Sequence, residues 1–518
     1  MADAGDATTD VDKFIGEPVE PRSSGAPVAG EAAPGVPRQE VEAVNAKANR
    51  PLYEARQKVH PKRARGTFRS IKWVVMVVTL GIYYLLPWLR WNRGDHLPDQ
   101  AILLDFANQR LFFGPFEIWP QEFYYITGLL VIAALALFLV TSLAGRVWCG
   151  YACPQTVWTD LMIAVERFWQ GDRNARLRLD KSPWTFDKIY KKSATHLSWL
   201  LIGVATGGAL VFYFRDAPTL ARELVTGTAP AIAYLFLGIF AFTTYLLGGI
   251  AREQVCIYMC PWPRIQGAMF DQDSLLVSYR AYRGEPRGPH KKNDTWQGRG
   301  DCIACRQCVV VCPVGIDIRH GPQLECIQCA LCIDACNDIM KKVGRPQNLI
   351  AYDTFRNLAA VEAGEKAKFR PIRPRTVLYL VLIPVILALM MVGWMNRSEL
   401  DVSVLRDRNP LFVRLSDGGI RNGYTIKILN KRYDPREFRL SVKGLDAAEL
   451  DIVGLENNET PTISVLPDNL RSMRVYLSLG SDAVKQLSDE ATPLEFVVTD
   501  LGDSAQSARS TTFRRPKQ

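Results

Sequence analysis

Twelve cysteines carry the readable chemistry of this chain, and none lies outside a short motif. Eight fall in two runs. CIACRQCVVVCP, Cys302 to Pro313, spells Cys-x-x-Cys-x-x-Cys-x-x-x-Cys-Pro, and CIQCALCIDAC, Cys326 to Cys336, repeats the spacing. Three thiolates two residues apart wrap a corner of an iron–sulfur cube, and in two-cluster ferredoxins the fourth cysteine of a run serves the other cluster. Cys302, Cys305, Cys308 and Cys336 are therefore assigned to one 4Fe-4S cluster, and Cys326, Cys329, Cys332 and Cys312 to a second. Zinc would want pairs of cysteines rather than triplets. Asn337 follows the second run where proline is commoner. Proline turns the chain after the last ligand but donates nothing to iron, so the departure bears on potential more than on binding.

The other four cysteines sit in WCGYACPQ, with Cys149 and Cys153, and CIYMCPWP, with Cys256 and Cys260. Each is a Cys-x-x-x-Cys-Pro at the foot of an apolar run. Spacing i, i+4 places both thiols of a pair on one helix face, with Pro154 and Pro261 ending or bending each helix just beyond. Two such helices meeting at a membrane boundary bring four soft ligands together, suited to monovalent copper, zinc or an iron–sulfur centre, and Met259 offers a thioether. The plainer reading is two small residues packing helices; duplication at identical spacing speaks against it.

Other chemistries find no support. Haem between spanning helices needs histidine pairs, and only His196 approaches a span, at its edge. His60, His290 and His320 have no HExxH-like partner, and no dinucleotide fingerprint or P-loop is present. The apolar segments lack the acidic residues of an ion pathway.

These motifs require a membrane scaffold. A chain of 518 residues has room for several domains, and its net charge of +10 is concentrated in loops beside apolar runs, which is membrane topology rather than nucleic-acid binding. Five segments reach spanning length: Trp73–Leu89, Phe123–Ala144, Leu197–Phe214, Ala231–Ala251 and Val377–Trp394. Trp88, Trp91, Trp119 and Trp394 fall where interfacial belts are expected. Basic residues from Lys62 to Lys72 and from Arg146 to Lys192 predict that those loops are cytoplasmic, which leaves residues 215–230 and everything beyond Trp394 outside. All twelve thiols then share the reducing, cytoplasmic face.

The remaining segments are read from composition. Residues 1–60, poor in aromatics, are expected to be a disordered tail, without a cleavable signal peptide. The membrane part runs over 61–275, the two-cluster ferredoxin-like domain over 276–372 and the fifth span over 373–396. Residues 397–518 alternate apolar and polar residues, as in YTIKILN, FRLSVKG, TISVLP, MRVYLSL and LEFVVTD, and predict a cysteine-free β-sandwich. The fold class is a membrane α-helical protein with about five spans, a cytoplasmic ferredoxin-like domain and an immunoglobulin-like sandwich.

In this order, WCGYACPQTVW, CIYMCPWPRIQGAMFD, the two ferredoxin runs, a last span and a β-domain together resemble the CcoG/FixG/RdxA family of cytochrome c oxidase accessory proteins, from about Pro61 onward. The resemblance implies reduction of cupric to cuprous copper for assembly of a cbb3-type oxidase in a bacterial inner membrane. It implies two 4Fe-4S clusters as cofactors and copper at Cys149, Cys153, Cys256 and Cys260. Expected partners are the membrane, a cytoplasmic electron donor, oxidase assembly factors or a copper transporter or chaperone, and a second copy of the chain, with no nucleic acid. Two rivals remain open: a NapH-like quinol-oxidising subunit, and a non-catalytic copper chaperone or scaffold. The large β-domain favours the accessory reading over the first.

Overall fold

In hydrocarbon every backbone polar group must be satisfied within its own segment, so long apolar runs become helices. The computed structural model describes residues 36, 38–39, 41–45, 58–93, 97–290, 295–397, 400–432, 434–445, 447–455, 462–467, 469–487, 489–503 and 505–516. Among these, five helices are long and apolar enough to cross a membrane. They are α1 (Thr67–Leu85, prolonged by a 3₁₀ turn to Trp88), α2 (Tyr124–Ala144), α5 (Phe186–Val211), α7 (Ala231–Thr244, continued by π-helical turns to Ala251) and α10 (Pro374–Met395). Helix α5 begins at Phe186 rather than Leu197. Thr185 caps it by accepting the Lys188 N–H, and Lys188, Lys191 and Lys192 occupy polar turns that an apolar window passes over.

Between the spans lie elements that hydropathy does not reveal. A three-stranded antiparallel meander, β1 (Ile102–Asp105), β2 (Arg110–Phe113) and β3 (Phe116–Ile118), separates α1 from α2. The short α3 (Val147–Tyr151) and the amphipathic α4 (Pro154–Gln170) follow α2, and α6 (Ala217–Thr226) links α5 to α7. The meander and α6 join at one end of the bundle: Leu104 N–H donates to Tyr213 O at 2.7 Å, and Gln100 bridges Phe212 O and the Ala217 N–H.

The ferredoxin-like segment closes the opposite end. It contains α8 (Trp262–Gly267), the pair β4 (Leu276–Tyr279) and β5 (Ile350–Asp353), and α9 (Leu331–Lys342). Asp334 on α9 accepts the backbone N–H groups of Phe68 and Arg69 at 3.2 and 2.7 Å, capping α1 from within the cysteine-rich segment. Leu275 N–H donates to Leu143 O at the foot of α2, and Arg373 at the foot of α10 donates to Ser142 O.

The expected disordered tail is corrected in part. Val36, Ala43 and Asn45 are buried against the ferredoxin core, and Asn45 donates to Val314 O and Gly315 O. Composition weighs only a segment's own apolar area and cannot see a surface supplied by another domain. Apart from 36, 38–39 and 41–45, residues 1–57 lie outside the described residues.

Residues 391–518 form a second unit, an antiparallel sandwich with β6 (Leu400–Arg406), β7 (Val413–Arg414), β8 (Ile420–Asn430), β9 (Arg436–Lys443), β10 (Glu449–Ile452), β11 (Thr462–Val465), β12 (Asn469–Leu479), β13 (Ala491–Asp500) and β14 (Gln506–Arg514). One sheet has the order β10-β12-β8-β6 with β7 beside β8, the other β11-β9-β13-β14. The inward residues of the alternating runs, Tyr424, Ile426, Ile428, Phe438, Phe496 and Phe513, make the core.

Candidate functional site

Each ferredoxin run folds by a repeated backbone device. Ala304 and Arg306 in the first, and Gln328 and Ala330 in the second, have φ between 51° and 59° at equivalent positions. Such left-handed residues are costly outside glycine and persist where the surroundings demand them. Here they curl each loop around its thiols. One cavity is lined by Cys302, Cys305, Cys308 and Cys336, and another by Cys312, Cys326, Cys329 and Cys332, with Cys308 between them. The fourth cysteine of each run thus crosses to the other cavity.

The linings suit iron–sulfur cores. Backbone N–H groups of Val314, Gly315 and Ile316 point at the Cys312 sulfur, that of Gln328 at Cys326 and that of Ile350 at Cys336. Burial pushes the Cys312 thiol up to about 11 and the Cys326 thiol up to about 12, so a cationic core is what holds them as thiolates at neutral pH. Among the described residues no three His, Cys, Asp or Glu side chains converge on the position of a single ion. Four thiolates around a cube bind separate irons and stand farther apart than four around zinc. Anaerobically prepared protein should therefore contain about eight iron and about eight sulfide per chain. An iron-free, zinc-filled preparation overturns the assignment. Asn337, in the place of the commoner proline, accepts the Asn348 N–H at 2.7 Å and so ties the end of the run to the strand that follows.

The Cys-x-x-x-Cys-Pro motifs differ from the sequence expectation. Neither pair lies on one continuous helix. Cys149 is in α3, whereas Cys153 is extended (φ −59°, ψ 128°) and caps α4, which Pro154 starts. Cys256 lies in a π-helical turn, Val255–Met259, and Cys260 is extended (φ −81°, ψ 123°) before Pro261 and α8. The prolines act forward rather than backward. Proline disfavours a helical residue before it and suits the first turn of the helix after it, so each motif breaks between its thiols.

The break turns all four thiols toward one space. Cys149, Cys153, Cys256 and Cys260 line a cavity of about 290 Å³ together with Trp148 and Trp262. Burial, followed by the neighbouring Cys153, Cys149 and Cys260 thiols, pushes Cys256 up to about 12. Burial likewise raises Cys149 to about 11. Sequence reading missed three contributors. Gln266 is fully buried, accepts from the Cys149 thiol at 3.1 Å and donates to Thr141. Gln155 bonds Leu247 O and Arg252 O, tying the first motif to the turn before the second. Ile327, between Cys326 and Cys329, lines both the boundary cavity and the Cys312/Cys326/Cys329/Cys332 cavity. Gln155 and Gln266 belong to the quoted motifs, but nothing in their spacing distinguishes them from neighbours.

Contact between the two sites is backbone-close. A Cβ on Gly150 would lie 2.7 Å from Ile327 O and 3.1 Å from Cys329 Cα. Gly150→Ala should therefore cost about 1–3 kcal/mol, read as a lowered unfolding temperature, because the atoms it meets are backbone and cannot swing away. Unchanged stability would show that this approach is looser than described. The Arg146 N–H donates to Gln328 Oε1 at 2.9 Å, fixing the same junction. The Cys302/Cys305/Cys308/Cys336 cavity shares no lining residue with the boundary cavity and is the distal one. His196 bonds Tyr245, His60 faces Asp180, His320 approaches Asp317 and His290 stacks on Trp296; none lines a thiol cavity.

Three family models match the chain: a 4Fe-4S dicluster domain over residues 251–355, a 4Fe-4S binding domain over 126–170, and the IG-like fold at the C-terminus of FixG over 390–516. The chain is 50% identical over 475 residues to the nitrogen fixation protein FixG of Rhizobium meliloti strain 1021, covering 86% of this chain and 91% of that protein. It is 50% identical over 467 residues to protein RdxB of Cereibacter sphaeroides, covering 89% and 97% respectively. The crystal structure of a FixG-related protein from Vibrio parahaemolyticus aligns with 23% of this chain and 98% of its own, at 25% identity and a TM-score of 0.20.

Proposed function

Because the chain belongs to the FixG/RdxA family of membrane iron–sulfur oxidoreductases, we propose that it reduces cupric to cuprous ion at the boundary thiols, for assembly of a cbb3-type oxidase. The observation that carries this reading is the single cavity lined by Cys149, Cys153, Cys256 and Cys260, which shares Ile327 with the neighbouring ferredoxin-type cavity. The two clusters, when bound, supply one-electron storage at low potential. The residues of the chain do the rest. Gly150 and Ile327 bring the thiol cavity to backbone contact with the cysteine loop, and Gln266 orients Cys149. The four sulfurs line one cavity without three of them converging on a single ion position, and drawn together on copper they would favour cuprous over cupric ion, which would raise the driving force for the step Cu²⁺ + e⁻ → Cu⁺. Binding releases the thiol protons to solvent.

The test is direct. Full-length protein reduced anaerobically with dithionite, then freed of excess reductant, should convert added cupric ion to cuprous ion, trapped by a cuprous-specific chelator, as the visible cluster absorbance bleached by dithionite returns. Oxidation by a quinone with no reaction toward cupric ion would favour the quinol-linked alternative instead.

The thiol end of the bundle is assigned to the cytoplasm and the sandwich to the periplasm of a bacterial inner membrane, on the strength of the basic residues flanking α1 and filling 146–192. Fusions after Asp271 should be active only with a cytoplasmic reporter, and fusions after Asp401 only with a periplasmic one. The reverse pattern at either position overturns the orientation.

A further inference from the structure

A buried cation stands between the boundary cavity and the nearer cysteine set, Cys312, Cys326, Cys329 and Cys332. Gly145 closes α2 with φ +60°, and a Cβ there would meet Gln328 Oε1 at 2.5 Å and Leu275 O at 2.7 Å, so a glycine is required for this turn against the cysteine loop. The turn tucks the next residue, Arg146, into the interior, where 1% of it is exposed. Its backbone N–H is held by Gln328, and its Nη1 donates to Leu324 O, just ahead of Cys326. Arg146 lines the boundary cavity beside Cys149, Cys153, Cys256 and Cys260, and it also lines a smaller cavity that includes Cys326 and Gln328.

Charge sets Arg146 apart. A buried ion ordinarily has a counter-ion, because leaving water is costly. Among the described residues no carboxylate pairs with Arg146, and its Nε has no hydrogen-bond partner. Two other cations beside the cysteine loops are paired: Arg319, which lines the distal cavity, with Asp317, and Lys72 with Asp160, which Arg69 shares. Arg146 instead faces sulfur. Burial raises the Cys149 and Cys326 thiols, and the Arg146 charge opposes that rise at both.

We propose that Arg146 is a positioning residue for the electron step: its unpaired charge raises the potential of the cluster held by Cys312, Cys326, Cys329 and Cys332, and so favours residence of the electron next to the boundary thiols. The inference rests on the two-cluster assignment and on the proposed flow of electrons toward those thiols. Four thiolates outweigh the charge of an iron–sulfur core, so the nearer site is anionic. It gains one further negative charge on taking an electron from the distal site, with no bond made or broken. A cation fixed in a low-dielectric interior lowers the energy of the more negative state, and the charge around a cluster is among the determinants of its potential. Arg146 does not line the distal cavity, so the effect there is smaller.

The test is a redox titration of the full chain in detergent, followed by EPR, with no copper present. In R146M the ratio of reduced to oxidised nearer cluster at a given solution potential should fall at least about tenfold, a downward shift of about 59 mV for one electron. The distal step should move by less than about twofold. R146Q, which keeps an amide donor and removes the charge, should match R146M, and should either neutral variant fail to hold iron, the other gives the reading. R146K keeps the charge and should restore the ratio to within about threefold of the parent. The shift should persist in the Cys305→Ser background, where damage to the distal site leaves the nearer step to be read alone. Neutral variants that titrate like the parent overturn the proposal. So does an equal fall in all three variants, which is loss of packing, or an equal fall of both steps. No copper enters the measurement, so absence of cupric reduction in the parent would count against the copper reading alone, whereas iron-free parent protein would remove the cluster assignment and this proposal with it.

Discussion

Replacing Cys149 and Cys153 together with serine should lower the proposed cupric reduction by at least about 100-fold while the iron–sulfur absorbance persists. Serine puts hard, protonated oxygens where soft thiols stood, so it would remove half of the proposed cuprous ligand set and its preference for the reduced ion. The loss exceeds the 10–100-fold typical of disturbing a residue behind a metal ligand, because the ligands themselves are gone. The cysteine loops are untouched: the eight ferredoxin-type thiols line separate cavities, which among the described residues have one lining residue, Ile327, in common with the boundary cavity. Cys305→Ser gives the converse pattern, with damaged cluster spectra and copper binding kept. A Cys149/Cys153 variant that reduces copper like its parent would assign the motif to helix packing and remove the proposed mechanism.

Replacing Glu166 with leucine destabilises the thiol end of the bundle by about 3–5 kcal/mol. Glu166 is fully buried on α4 and receives Lys58 at 2.7 Å, Arg252 at 2.8 Å and Arg176 at 3.0 Å. Removing the one carboxylate leaves three cations without their shared counter-charge, and this is where the large cost of breaking a buried pair arises. Arg252 itself has φ +47° and introduces the second Cys-x-x-x-Cys-Pro motif, so loss of the anchor also loosens Cys256. Thermal unfolding of Glu166→Gln, which keeps the shape and removes the charge, checks the effect; an unfolding temperature equal to that of the parent contradicts it.

The pH dependence of the same anchor has a definite sign. Burial alone would raise the Glu166 carboxyl, but Arg252, Lys58 and Arg176 hold it far below the usual carboxylate range. A depressed carboxylate stabilises fully above its unfolded value of about 4.3 and loses its contribution as pH falls below that. The gap between parent and Glu166→Gln should therefore be flat from about pH 5 to 8 and narrow only below about pH 4.

The cysteine spacing by itself determined which residues are the candidate ligands, and the physical reason is that ligation imposes strict local spacing. Triplets of cysteine two residues apart have few alternatives, and the crossing of Cys312 and Cys336 follows from the same loop geometry. Helices α2, α7 and α10 were legible for a similar reason, since a long uninterrupted apolar run has no other stable form in hydrocarbon. The sandwich strands announced themselves through strict alternation.

Only the tertiary structure decided what depends on meetings between distant segments. The two Cys-x-x-x-Cys-Pro motifs share a cavity because each breaks before its proline and turns inward, whereas spacing alone suggested two intact helices. Val36 and Ala43 lie on the cysteine loops although their own segment has too little apolar area to fold. Which cysteine set lies next to the boundary cavity is fixed by Gly150 against Ile327. Such contacts depend on shape and backbone position across more than a hundred residues of chain. Residue type and local period carry no record of them.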